Sequence, residues 1–126
     1  MNTNLLKVLF YISAVYDGIL GLAFLIVPHS IFTMYNVTPP NHPGYVQFSA
    51  ALLIVFAIMF YNIAKDPIKN QSLILYGILL KISYCGIVFF YWISSAIPNM
   101  WKPFAIIDFI FLLIYLYLYS SLRKNK

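Results

Sequence analysis

Charged residues and cysteine are scarce in this 126-residue sequence, and each scarcity excludes a class of protein. Asp, Glu, Lys and Arg together make up 9% of the chain, whereas a soluble domain usually carries about 25%. So few charges cannot cover a water-facing surface, which excludes a soluble globular domain. The single cysteine, Cys85, excludes an intrachain disulfide and any Cys-x-x-Cys redox or metal motif. The sequence also contains no repeats or low-complexity tracts.

Hydrophobic residues make up 63% of the chain, and the mean hydropathy is +0.86. A membrane span needs about 20 mostly apolar residues, and four stretches reach that length: 5–27, 45–64, 72–93 and 104–121. Three breaks separate these stretches: Pro28 with the run TPPNHPG, the polar turn KDPIKN, and the run IPNMWKP. We expect the run TPPNHPG to be non-helical. We therefore predict an all-α integral membrane four-helix bundle that forms a single transmembrane domain over residues 1–126.

The basic residues predict the orientation of this bundle, because cytoplasmic loops of membrane proteins carry more Lys and Arg than outer loops. Six of them fall on one side of the predicted spans: Lys7, Lys65, Lys69, Arg123, Lys124 and Lys126. Only Lys102 falls on the other side. We therefore expect both termini to lie in the cytoplasm. The net charge of +5 belongs largely to these flanks, so we predict membrane lipids and no nucleic acid as partners.

The first apolar stretch is expected to be a membrane span and not a cleavable signal peptide. The run is too long for a signal peptide, Asp17 interrupts it, and no small-x-small cleavage site follows it. The segment PHSIFTMY comes next, and we predict that it forms a short interfacial turn. In that turn Ser30 would act as the cap, while Ile31, Phe32 and Met34 would dip into lipid.

Three charged residues inside the predicted spans form the candidate site. Asp17 and Lys81 lie near the midpoints of the first and third spans, and Asp108 lies about 6 Å to the outer side of the midplane in the fourth. A lone charge at mid-bilayer costs roughly 2.5 to 3.5 kcal/mol, so such residues face inward and pair. We predict a buried cluster of Asp17, Lys81 and Asp108 with Tyr84 within reach. Two carboxylates and one ammonium leave the cluster with a net negative charge, which is costly to bury. We therefore expect a protonated carboxyl, a bound cation or a ligand donor to compensate for it.

Three interpretations of this cluster stay open. It could be a structural ion pair that sets helix register or a site for a ligand or proton, or Lys81 could instead extend to an interface. Of the other polar residues, His29, His42 and Gln47 are predicted at the outer mouth of the bundle. Two loop histidines do not supply the ligands that a metal site needs, so we predict no metal. Cys85 is expected to pack as a small apolar residue.

The segments YDGILGLAFLIVP, GYVQF, YGILLKISY and IPNMWKPFAIIDFIF resemble the DoxX-like group of small four-helix bacterial membrane proteins. The resemblance covers most of the chain. It implies a protein of the bacterial inner membrane that serves as an accessory subunit of a quinone-linked oxidoreductase, or one whose role is unknown. The resemblance transfers no catalytic residue, and the set of Lys81 with two aspartates does not match a signature of that group.

These observations predict a non-enzymatic integral membrane protein, either an accessory subunit of a larger membrane complex or a homo-oligomer. No nucleophile–base pair, phosphate loop or cofactor fingerprint is visible, and a quinone or lipid bound at the charge cluster is the cofactor that we consider. The alternative is a proton- or cation-coupled transporter of small molecules. Small multidrug transporters are similar in length and have an acid in their first span. That acid is a glutamate, whereas this chain has Asp17, for which Lys81 would compete.

Overall fold

The computed structural model describes residues 3–124 and contains five α-helices in that range. They are α1 (Thr3–Ile26), α2 (Pro28–Met34), α3 (Gly44–Lys65), α4 (Ile74–Ser94) and α5 (Lys102–Lys124), with short 3-10 turns at Gln71–Leu73 and Asn99–Trp101. All but α2 belong to segments long and apolar enough to cross a membrane. The predicted all-α class and four spans are confirmed, and the chain is a multi-pass membrane protein. Lys126, one of the six basic residues on the predicted cytoplasmic side, lies outside the described residues.

Two of the prolines lie in the first turn of a helix, where their missing N–H is harmless. Pro28 occupies the first turn of α2, and Pro103 occupies the first turn of α5. We predicted that the fourth span begins at residue 104, but the helix already begins at Lys102. A proline in the first turn forfeits no helical hydrogen bond and its fixed φ suits the helix. Residues 38–43 form no helix, as predicted for the run TPPNHPG, but its last residue, Gly44, already begins α3.

The chain divides into two compact units, Met1–Asn70 and Gln71–Lys126. In the first unit α1 packs against α3, and in the second α4 packs against α5. The partners within each unit run antiparallel, because residues later in one helix contact residues earlier in the other. The single transmembrane domain over the whole chain stays a prediction.

The backbones of α1 and α3 approach each other closely at Gly21. A Cβ added to Gly21 would lie 2.8 Å from the carbonyl oxygen of Ala50 and 2.8 Å from Cγ1 of Ile54. Towards the start of α1 larger side chains fill the contact, since the rings of Phe10 and Phe60 stack with centroids 6.1 Å apart. Small residues that admit a neighbouring backbone are typical of helix contacts in membranes. Gly21 therefore lies on the buried face of α1.

The short helix α2 departs from the expected interfacial turn in two ways. No side chain caps it, and Ser30 lies inside its first turn because the helix begins at Pro28, so the predicted cap is wrong. Phe32 is only 4% exposed, and its ring meets that of Phe24 edge-on at 6.3 Å. The prediction that Phe32 dips into lipid is also wrong, because packing on α1 buries the ring. Met34, at 72% exposure, is accessible as predicted.

Candidate functional site

An ion pair between α4 and α5 is the central polar feature of the second unit. Nζ of Lys81 donates a hydrogen bond to Oδ1 of Asp108 over 3.0 Å. Lys81 is 1% exposed and Asp108 is 8% exposed. Ionisable groups within a membrane span are expensive unless they face inward and find partners, and these two residues partner each other. Lys81 is buried, so the interpretation in which it extends to an interface is wrong.

An aromatic ring from α5 completes the surroundings of the ammonium. Nζ of Lys81 lies 5.4 Å from the ring centroid of Phe111, a distance that allows a cation–π interaction. Phe111 follows Asp108 by three residues and therefore lies on the same helix face. The ring of Tyr115, which is fully buried, lies 5.8 Å from that of Phe111. Phe111 therefore belongs to the surroundings of the ion pair, although the predicted cluster does not include it.

Two residues that follow Lys81 on α4 bond to backbone carbonyl groups near the start of α5. The hydroxyl of Tyr84 donates to the carbonyl of Trp101 over 3.0 Å. The thiol of Cys85 donates to the carbonyl of Ala105 over 3.4 Å and is buried. Tyr84 was predicted within reach of the charges, and its hydroxyl is in fact held by the backbone. Together with the ion pair, these contacts hold α4 and α5 in one register.

Asp17, the remaining member of the predicted cluster, belongs to the first unit. It is 1% exposed. It shares the buried stripe of α1 with Ser13 and Gly21, as the i, i+4, i+8 spacing predicts. The hydroxyl of Ser13 donates to the carbonyl of Leu9 over 3.1 Å. The burial of Asp17 is confirmed, and its membership of one cluster with Lys81 and Asp108 stays a prediction.

The polar residues predicted at the outer mouth make local contacts at helix ends of the first unit. Nδ1 of His42 accepts a hydrogen bond from the first backbone N–H of α3 over 3.0 Å. The backbone carbonyl of His29 accepts a hydrogen bond from the hydroxyl of Thr33 over 2.9 Å. Nε2 of Gln47 donates to the carbonyl of Leu25 over 3.2 Å, a group at the end of α1 that lacks a helical partner. Over residues 3–124, no group of three or more His, Cys, Asp or Glu could hold a metal ion.

Comparisons with known proteins found no match to this chain. No family model, curated protein or solved structure matches it. The resemblance to DoxX-like proteins therefore rests on the sequence segments alone.

Proposed function

We propose that this chain is a non-enzymatic membrane protein that works as an accessory or oligomeric subunit, in the manner of DoxX-like proteins of the bacterial inner membrane. The observation that carries the proposal is the 3.0 Å ion pair between Lys81 and Asp108 inside a pair of spanning helices. Buried charge pairs contribute less to stability than apolar packing does, but in some proteins they specify how helices meet. Here the ion pair fixes α4 against α5, so that the two helices contact lipid or a partner as one rigid element.

The two helices offer a broad apolar surface for such a partner. Ile87 and Phe90 on α4 are each 62% exposed, and Ile93 is 88% exposed. In lipid, helices associate through shape and packing, because acyl chains are as apolar as these side chains. A second copy of the chain or another membrane subunit would pack on this surface without displacing the ion pair.

The proposed orientation places both termini in the cytoplasm, and cation–aromatic contacts mark the ends of the spans. Three cations lie over aromatic rings there: Lys102 over Trp92 at 4.9 Å, Lys65 over Tyr61 at 5.5 Å, and Arg123 over Tyr119 at 5.6 Å. Aromatic and basic residues concentrate at membrane–water interfaces. The tryptophan end would face outward and the two tyrosine ends inward, in agreement with the distribution of basic residues.

We also propose that the ion pair contacts the polar head of a quinone or lipid-like ligand. The side chain of Lys81 is 1% exposed and that of Asp108 is 12% exposed, so the carboxylate is the accessible side of the pair. A hydroxyl of a reduced quinone could donate to this carboxylate. The ring of Phe111, which lies over the ammonium and is 8% exposed, would be the aromatic neighbour of such a ligand.

Native mass spectrometry of the gently solubilised protein tests both proposals together. We expect an oligomer or a partner subunit, and a bound quinone or lipid in stoichiometric amount. In the double variant K81M/D108L we expect the assembly to persist while the bound quinone or lipid is lost. The matched control is Lys102→Met, which removes a lysine that lies over Trp92, and it should retain the ligand. A bare monomer without a bound molecule would contradict both proposals.

A second candidate function, proton- or cation-coupled transport, is favoured by the burial of Asp17. An acid that is 1% exposed inside a membrane span is the type of residue that cycles between protonation states in transporters. Under this function, substrate-driven proton uptake by vesicles should disappear in Asp17→Asn. It should persist in Asp66→Asn, whose residue lies in the exposed turn after α3. Equal uptake in the wild type and in Asp17→Asn would exclude this candidate.

A further inference from the structure

The turn that follows α3 has an ordered backbone and two exposed lysines. Oδ1 of Asp66 accepts a hydrogen bond from the backbone N–H of Lys69 over 3.1 Å. Nδ2 of Asn70 donates to the carbonyl of Asn62 over 2.9 Å, which closes the end of the helix. The acidic side chain of the turn is thus engaged in holding the turn, and Lys65 and Lys69 both lie exposed at its ends.

Aromatic rings hold this turn beside the start of α1. Nζ of Lys65 lies 5.5 Å over the ring of Tyr61, one helical turn back towards the membrane span. The ring of Tyr61 lies 5.8 Å from that of Tyr11 on α1, and Lys7 precedes Tyr11 by one turn. The same end of the first unit therefore collects three lysines (7, 65 and 69) and one aspartate (66), and three positive charges less one negative charge leave a net +2.

An exposed apolar side chain lies between the two lysines of the turn. Ile68 is 55% exposed, while the preceding Pro67 is buried. The turn directly follows Gly44–Lys65, a span apolar enough to cross a membrane, so it lies at the height of lipid headgroups. An apolar tip flanked by long cationic side chains suits this boundary, because the tip meets acyl chains and the ammonium groups stay among phosphates.

We propose that this basic turn, residues 65–69 together with Lys7, binds the phosphate of an anionic phospholipid headgroup. The net positive charge attracts anionic lipid, and each lysine near such a surface adds to the attraction. The contact with Tyr61 keeps the ammonium of Lys65 at the interface. A zwitterionic headgroup carries its own cation beside the phosphate, so the turn discriminates against it.

The test uses the full chain in nanodiscs that mix phosphatidylglycerol with phosphatidylcholine. The readout is the ratio of the two lipids retained by the protein in native mass spectrometry. For K65Q/K69Q we expect the preference for phosphatidylglycerol to fall by roughly 30-fold. The matched control R123Q/K124Q removes the same charge from the second unit, away from the basic turn, and should lower the preference by less than K65Q/K69Q does. K65R/K69R keeps the charge and should also keep the preference.

Three results would overturn the proposal. One is an unchanged lipid ratio in K65Q/K69Q, and another is an equal loss in both neutralised variants, which would indicate a general effect of net charge. The third is displacement of the lipid by millimolar inorganic phosphate, which would indicate a site for the free anion. If K65Q/K69Q does not fold, a salt titration of the wild type decides the matter. The preference should decline as salt screens the charges, and an undiminished preference at high salt would refute lipid binding by the turn.

Discussion

Replacing Lys81 by methionine is expected to destabilise the second unit by about 3 kcal/mol. The substitution leaves the carboxylate of Asp108 buried without the ammonium that lies 3.0 Å away. It also removes the cation that lies over the ring of Phe111. The measurement is the free energy of unfolding in mixed micelles, titrated with a denaturing detergent.

The double variant K81M/D108L is the control for this prediction. Replacing both members of a buried ion pair by apolar residues of similar size is often neutral or stabilising, so this variant should unfold closer to the wild type than Lys81→Met does. The two single variants and the double variant together give a coupling energy, which we expect to be about 2 kcal/mol or more. A single variant Lys81→Met as stable as the wild type would show that the pair has no energetic role. A double variant whose loss equals the sum of the single losses would show that the two residues act independently.

The contact between Lys81 and Asp108 could be expected from the sequence because burial of charge in lipid leaves few alternatives. The two residues have similar calculated depths, and a lysine stem is long enough to bridge the difference. The ring of Phe111 over the ammonium could not be predicted, since it depends on the rotation of α5 about its axis. The partner of Asp17 could not be predicted either, because the depth of a residue in the membrane does not determine which neighbouring side chain it contacts.

Hydropathy predicted the spans well because a segment in lipid must satisfy its own backbone hydrogen bonds, which favours helices. It located their ends less well. Helix α5 includes Lys102 at one end and Arg123 with Lys124 at the other, and polar side chains at helix ends do not interrupt backbone bonding. The turn at 28–35 became a helix with Phe32 buried, because the ring gains an aromatic neighbour in Phe24. A local sequence pattern does not reveal stabilising contacts of this kind between separate helices.

Substituting Gly21 by alanine is expected to destabilise the first unit by about 1 to 3 kcal/mol, the range observed for overpacked cores. The new methyl group would lie 2.8 Å from the carbonyl oxygen of Ala50. That oxygen belongs to the backbone of α3, so relief requires the two helices to separate. Separation would also strain the hydrogen bond from Gln47 to the carbonyl of Leu25. Unfolding in mixed micelles measures the loss.

Two other glycines distinguish this steric effect from a general cost of the substitution. A Cβ at Gly18 would meet Cβ of Ala57 at 3.6 Å, an ordinary contact, and a Cβ at Gly86 would meet nothing within 4 Å. Alanine is the better helix former by up to about 1 kcal/mol, so Gly86→Ala should be neutral or stabilising and Gly18→Ala nearly neutral. If Gly21→Ala behaved as Gly86→Ala does, the close approach of α1 to α3 would not limit side-chain size. A loss confined to Gly21 would instead show that the close approach of α1 to α3 at this residue limits side-chain size.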